Sequence, residues 1–151
     1  MKKILFLLAL MFSGTAVFAQ HEGHDMSHPN HVGAGLMKSI GESGWMYHVH
    51  FVRFLRGSGE KLGVGLGIVG MTEHEQKGIS IPLVYKLTPK LHVGADPMYL
   101  KHHDEWEFAA SLNLHYHIPV GPIHVAPTAG YMIGEGHEGH FMAGLHIGVG
   151  F

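Results

Sequence analysis

The last eleven residues, 141–151, alternate without exception between two kinds of side chain. Because successive side chains of a strand point to opposite faces, the segment predicts a strand with one apolar wall and one wall of small or polar groups. Lipid on one side and a crowded lumen on the other would account for that division. The two faces carry Phe141, Ala143, Leu145, Ile147, Val149 and Phe151, and Met142, Gly144, His146, Gly148 and Gly150.

The same alternation recurs in eight blocks separated by turn signals, each about as long as a tilted membrane strand. In the third block Leu62, Val64 and Leu66 share one face, and glycines share the other. In the sixth block Ser111, Asn113 and His115 share the inner face. Polar side chains thus face inward, the reverse of a soluble barrel that binds an apolar ligand. We therefore expect an all-β fold, an eight-stranded antiparallel up-and-down transmembrane β-barrel over residues 32–151. The blocks are 32–40, 45–55, 61–72, 78–87, 91–101, 105–118, 122–133 and 140–151.

Three prolines, Pro82, Pro97 and Pro127, each remove a backbone donor inside an expected strand. We expect bulges or strand irregularities at these points. The connections between the expected strands alternate between short and more strongly charged. Because the strand number is even, both chain ends lie on the same side as the short connections. In an outer-membrane barrel this is the periplasmic side. The short set is 56–60, 88–90 and 119–122, and the charged set is 71–77, 101–105 and 134–140, with 41–44 as its shortest member.

The first residues have the features of a secretory signal peptide, which we expect to span 1–19. Lys2 and Lys3 precede an apolar core at 4–12, and small residues end at Ala19. Cleavage leaves 151 − 19 = 132 residues, enough for one domain, with a disordered tail at 20–31 before the barrel. With 10 − 2 = 8 basic and 12 acidic residues the mature chain is acidic, which argues against a nucleic-acid partner. The absence of cysteine excludes disulfides and thiolate metal sites.

Taken together, these features resemble the small eight-stranded outer-membrane proteins of Gram-negative bacteria. The resemblance covers nearly all of the mature chain and rests on the strand pattern and on the terminal aromatic Phe151. It implies an outer-membrane location with a periplasmic N-terminal tail, and contact with membrane lipid and lipopolysaccharide. It also implies that the last strand, ending in Phe151, is recognised by the outer-membrane assembly machinery.

Sixteen histidines are the main chemical signal of the sequence, and the first group lies in the tail. The tail has no apolar periodicity, and its imidazole and thioether groups are ligands for Cu, Zn or Ni. The stretch is similar to the His/Met-rich leader of copper-resistance outer-membrane proteins, which also precedes a barrel. That resemblance favours copper. The candidate ligands are His21, His24, Met26, His28 and His31.

A second group of histidines lies among carboxylates in the expected outward loops. Imidazoles interleaved with acids are divalent-metal ligands, and loops at one rim converge in space. The alternative is a solvated acidic rim that meets water, or lipopolysaccharide through bridging divalent cations. The group comprises His74, His102, His103, His137 and His140.

The third group falls on the lumen face by strand phase, together with Met46, Met98, Met132 and Met142. Strand direction places three members, His48, His50 and His146, near the middle of the barrel and the others toward the periplasmic end, so two clusters are possible. A metal site here competes with a hydrogen-bonded polar plug that fills a narrow lumen. The full group is His48, His50, His92, His115, His117, His124 and His146.

These patterns favour an outer-membrane barrel that binds or handles Cu or Zn through its tail, loops and lumen. Two alternatives stay open: a structural or adhesive barrel without a metal role, and a narrow channel for small solutes. We expect no enzymatic activity, because the lumen serines Ser80 and Ser111 have no histidine at a neighbouring position on the same face.

Overall fold

The computed structural model describes residues 28–41, 43–72, 75–134 and 137–151. The chain forms a closed barrel of eight antiparallel strands, in which β4 and β5 are two parts of one barrel strand and β7 and β8 are two parts of another. A three-residue 3-10 helix, Arg56–Ser58, follows β2. The strands are β1 (Asn30–Ser39), β2 (Trp45–Phe54), β3 (Leu62–Met71), β4 (Gln76–Ser80), β5 (Leu83–Lys86), β6 (Leu91–His102), β7 (Glu105–Tyr116), β8 (Ile118–Val120), β9 (Ile123–Gly134) and β10 (His137–Gly150).

Pairing of the first and last strands closes the barrel. Asn30 and Phe151 exchange backbone hydrogen bonds across this seam, at 3.1 and 3.0 Å. A path that starts at Asn30 and steps from each residue to its paired neighbour returns to β1 opposite position 40. The strands are therefore staggered by 40 − 30 = 10 residues around the barrel. This stagger tilts the strands relative to the barrel axis. The path runs through Arg53, Val64, Leu83, Ala95, Leu112, Tyr131 and Phe141.

Apolar side chains cover the outer wall of the barrel, as the alternation predicted. Leu66, Ile68 and Phe141 are 70%, 63% and 64% exposed, whereas polar side chains such as Ser111 and His146 are buried inside. The third block of the sequence thus has its leucines outside and its glycines inside. Within the described ranges, no helix is long and apolar enough to cross a lipid bilayer.

The strand boundaries differ from the expected blocks by at most three residues. The expected signal peptide and most of the expected tail, with the candidates His21, His24 and Met26, lie outside the described residues, as does His74. At the start of the barrel, β1 begins at Asn30. His31, assigned to the tail on composition, is therefore part of the first strand.

The three prolines coincide with interruptions of the strands. Pro82 lies in the break between β4 and β5, and Pro97 lies opposite this break, where its carbonyl oxygen accepts a hydrogen bond from the Ile81 amide at 3.0 Å. Pro127 lies opposite Tyr116, the last residue of β7, directly beside the break between β7 and β8 at His117. Because proline has no amide donor, the ladder is interrupted there, and the strand register continues unchanged across both breaks.

The interior of the barrel has two chemically different halves. The half next to the chain ends and the short connections contains histidine side chains, and we call it the imidazole half: His31, His48, His50, His92, His115, His117, His124 and His146. The opposite half, next to the more strongly charged connections, contains one buried apolar cluster rich in methionine. We call this half the methionine half, and its methionines are Met37, Met46, Met71, Met98, Met132 and Met142.

Candidate metal centre

Two histidine-bearing strands are held together by a strand that carries glycine between them. His48 and His50 alternate on the inner face of β2, and His146 lies on the inner face of β10. On the intervening strand β1, Gly35 pairs with His48 on one side and with His146 on the other. Because glycine has no side chain, the imidazoles on both sides can lean over β1 toward each other.

The glycines of β1 leave no spare room once the rings are in place. A Cβ atom added at Gly33 would collide with Nε2 of His146, and one added at Gly35 would collide with the ring of His48. Gly148 on β10 has the same relation to the rings of His31 and His124. The inward-facing glycines therefore make room for the imidazole rings, because each ring occupies the space that a larger side chain on the neighbouring strand would fill.

The three rings converge closely enough to share an ion. One ring nitrogen each from His48, His50 and His146 lie within 4.8 Å of one another. The rings are nearly parallel, with centroids 5.2 Å apart for His48 and His50 and 5.0 Å apart for His50 and His146. Nitrogens that bind one tetrahedral zinc ion lie about 3.4 Å apart, so modest rotation of the side chains completes a three-nitrogen site.

The ring of His146 bears on the choice between a metal centre and a hydrogen-bonded plug. Its side chain is 2% exposed, and neither Nδ1 nor Nε2 has a hydrogen-bond partner in the described part of the protein. His92 Nε2 and His117 Nδ1 are in the same condition. A polar plug pairs its buried polar atoms, because an unpaired one costs free energy. A neutral imidazole has a lone pair on its unprotonated nitrogen, and this lone pair is the group with which it could bind a metal ion.

His31 connects the triad to the remaining histidines, so the two expected clusters form one. Its Nε2 is 2.8 Å from Nε2 of His124, and its ring centroid is 5.6 Å from that of His146. Beyond it, His92 and His117 have centroids 4.1 Å apart. The strand phase contained the signal for His31, since it precedes Gly33 and Gly35 on the same face, but the tail composition obscured it.

Polar groups of the barrel wall surround the triad. His115 Nδ1 is 3.0 Å from the hydroxyl oxygen of Thr128. The Asn113 amide nitrogen donates hydrogen bonds to Asp96 at 2.6 Å and to the Ser111 hydroxyl oxygen at 2.9 Å. A small cavity of about 20 Å³, room for about one water molecule, lies between two members of the triad, His48 and His50, and the methionine half. It is lined by Met46, His48, His50, Val69, Ser80, Asp96, Met98 and Ser111.

The expected rim ligands are arranged differently. His102 and His103 have ring centroids 4.4 Å apart, and His102 Nδ1 is 3.8 Å from Oε1 of Glu107. Gln76 donates a hydrogen bond of 3.0 Å to the same carboxylate. His137 begins β10 and His140 follows it on the same strand. Among the side chains that the structure describes, the three-ligand group is the lumen triad, and His102, His103 and His140 belong to none.

His28, the last candidate of the tail, is exposed and adjoins Gly150 at the end of β10. It therefore lies at the same end of the barrel as the imidazole half. The two sets of histidines that the sequence separated, tail and lumen, are thus neighbours at this point of the fold.

These observations define a class of protein: a closed eight-stranded β-barrel with an apolar outer wall and an interior half filled by imidazoles. No protein-family model matches the chain, and a search of curated proteins finds no significant match.

Proposed function

We propose that the chain is an outer-membrane β-barrel that binds a transition-metal ion, Cu or Zn, inside its lumen. The observation that carries the proposal is the convergence of His48, His50 and His146, with ring nitrogens within 4.8 Å of one another. The apolar outer wall and the signal-like N-terminus support the membrane location. Catalysis forms no part of the proposal.

The donor set favours a transition metal over calcium or magnesium. Three neutral imidazoles suit Zn, Cu and Ni, whereas Ca and Mg prefer oxygen ligands. An ion at the triad adds positive charge to a buried space, and the carboxylate of Asp96, which lines the adjoining cavity, is placed to offset it. The open coordination position would be filled by water from this cavity or by a further imidazole such as His31.

The tail fits the same proposal as a collector of ions. Residues 20–27 directly precede His28, which lies at the imidazole end of the barrel, and they contain further imidazole and thioether groups. The rim histidines lie at the opposite end and would contribute, at most, weaker contacts with divalent ions. A transport channel receives less support, because the space over Gly63 is filled by Val52 and Phe54.

Calorimetric titration of the refolded, detergent-solubilised mature chain with Zn(II), with Cu(II) and with Cu(I) under reductant tests the proposal. We expect binding that survives removal of the tail in a chain beginning at His28. Replacing His48, His50 and His146 together by leucine should abolish this remaining binding. His103→Ala, an exposed rim imidazole that lies outside the triad, is the matched control and should bind as before.

Each other outcome has a defined meaning. Binding that disappears with the tail alone would make the tail the metal-binding element and the barrel its anchor. Absence of binding in every variant would leave the structural or adhesive alternative. Circular dichroism of each variant establishes that the barrel has folded.

A further inference from the structure

Methionine is segregated from the other large aliphatic residues of the barrel. All six methionines of the described residues are buried inside, with exposed fractions between 1% and 8%. Leucine and isoleucine, in contrast, mostly line the outer wall, as Leu66, Ile68 and Leu112 do. Leucine and methionine have similar volumes, and methionine also fits irregular space. The consequence of this segregation is that thioether sulfurs are concentrated in one part of the interior.

Three of the six methionines form a row across neighbouring strands. Met37 of β1 pairs directly with Met46 of β2, and Met46 pairs directly with Met71 of β3. Directly opposed side chains on one face have Cβ atoms about 4.5–5.5 Å apart, and methionine is long and flexible enough for neighbouring sulfurs to meet. We call Met37, Met46 and Met71 the methionine row.

The methionine row adjoins the imidazole triad. Met46 and His48 are successive inward residues of β2, and both line the internal cavity, whose wall also includes Asp96 and Met98. An ion in this cavity is therefore within reach of imidazole nitrogen on one side and thioether sulfur on the other. Met98 also lines this cavity, but it differs from the row because its directly paired neighbours are Ser80 and Ala109 rather than methionines.

We propose that the methionine row is a second metal site, which binds a soft monovalent cation, Cu(I), through its three thioether sulfurs. Thioethers select Cu(I) over Zn(II), and an uncharged sulfur set suits a single positive charge in an apolar surrounding. The proposal deepens the proposed function and rests on it for the entry of metal into the lumen, and it identifies copper as the ion handled. The ion binds in the oxidation state in which it arrives, and no electron transfer is involved.

Titration with Ag(I), a redox-inert soft monovalent ion, tests the methionine row in the full mature chain. With isotope-labelled methionine methyl groups, we expect the resonances of Met37, Met46 and Met71 to shift together and to reach saturation at one equivalent. The methyl resonance of Met132, which pairs with Ser111 and His140 and does not line the cavity, should shift much less. Single methionine-to-leucine variants assign the resonances.

A matched pair of triple variants measures the stoichiometry. Met37→Leu, Met46→Leu and Met71→Leu together should remove one equivalent of bound Ag(I) and leave Zn(II) binding unchanged. Met98→Leu, Met132→Leu and Met142→Leu together alter the same number of interior sulfurs and should keep that equivalent. Equal loss from both variants, or loss from the second alone, would overturn the assignment to the methionine row.

The two proposals can fail separately. If Zn(II) does not bind the wild-type chain but the row methyl groups still respond to Ag(I), the imidazole triad is wrong and the methionine row stands. If Zn(II) binds and the row methyl groups do not move at saturating Ag(I), the methionine row is wrong. Should either triple variant fail to fold, the wild-type methyl spectrum alone decides the question.

Discussion

The imidazole half and the methionine half are built on the same strands and follow the same alternation of inward and outward side chains. They differ in whether their buried atoms have suitable partners. The methionine half is a continuous apolar cluster that also includes Val69, Leu100 and Ala109. The imidazole half contains buried ring nitrogens without hydrogen-bond partners in the described residues, at His92, His117 and His146. It also requires glycine where the rings cross neighbouring strands.

The difference indicates which half is complete without an ion. A buried polar atom left unpaired costs about 1–3 kcal/mol, whereas methionine adapts its shape to fill irregular space. The methionine half can therefore be stable when empty, and the proposed soft ion there would be an addition. Under the proposed function the imidazole half is stabilised by its ion, so removing a ring and removing the ion should have linked consequences.

The largest expected effect is at His146. We expect His146→Leu to reduce the Zn(II) affinity at least about 100-fold, because even outer-shell partners of metal ligands are worth about 10–100-fold. In the absence of metal the same variant should be more stable than wild type by about 1–3 kcal/mol, because two unpaired ring nitrogens are removed. Calorimetry measures the affinity, and urea unfolding followed by fluorescence of Trp45 and Trp106 measures the stability.

Met142→Leu is the matched control in the methionine half, since Met142 lies on the same strand and is equally buried at 2% exposure. It should change the stability by less than about 1.5 kcal/mol and leave Zn(II) binding intact. A loss of metal-free stability in His146→Leu would contradict the comparison. It would mean that the His146 nitrogens are paired with internal water and belong to a polar plug.

A smaller effect is expected at Gly33, where no ligand is removed. A Cβ atom at this position collides with His146 Nε2, so Gly33→Ala should displace the ring. Overpacking of this kind costs about 1–3 kcal/mol, and the lower part of this range predicts a decrease of about five- to tenfold in Zn(II) affinity. Gly94→Ala serves as control, because its added Cβ would lie 3.7 Å from His115 Nε2, an ordinary contact. Equal affinities of the two variants would show that ring position does not limit binding.

Most of the fold could be predicted from the sequence because each strand has two faces of different chemistry. In β3 the alternation of Leu62, Val64 and Leu66 with glycine specifies both the strand and its outward face. The prolines marked the two strand breaks for the same local reason, the missing donor. Such features depend on nearest neighbours along the chain, and the sequence reports them directly.

The candidate site was harder to predict, because it depends on how strands are staggered around the barrel. Phase indicated that His48, His50 and His146 face inward, but the pairing of Gly35 with both His48 and His146 follows from the registers of β1. The contact of His31 with His124 joins residues 93 positions apart. His102 and His103 show the converse, since adjacency in sequence is enough to bring these two imidazoles together.

The smallest expected effect concerns Asp96, which lies between the two halves. Its carboxylate lines the shared cavity and accepts a hydrogen bond from Asn113 at 2.6 Å. Asp96→Asn keeps a carbonyl oxygen for that hydrogen bond and removes the negative charge. A charge that supports the ion from the cavity wall without binding it directly is worth about 1 kcal/mol, so Zn(II) affinity should fall about fivefold.

Because a doubly charged ion depends more on this carboxylate than a singly charged one does, the affinity for Ag(I) should fall less than the affinity for Zn(II). Ser111→Ala, which removes a hydroxyl from the same cavity wall and leaves the charge, is the control and should alter neither affinity. A larger loss of affinity for Zn(II) than for Ag(I) would show that the Asp96 charge acts on the ions at both sites. Unchanged Zn(II) affinity in Asp96→Asn would instead confine the metal to the imidazoles and make the carboxylate part of the barrel wall only.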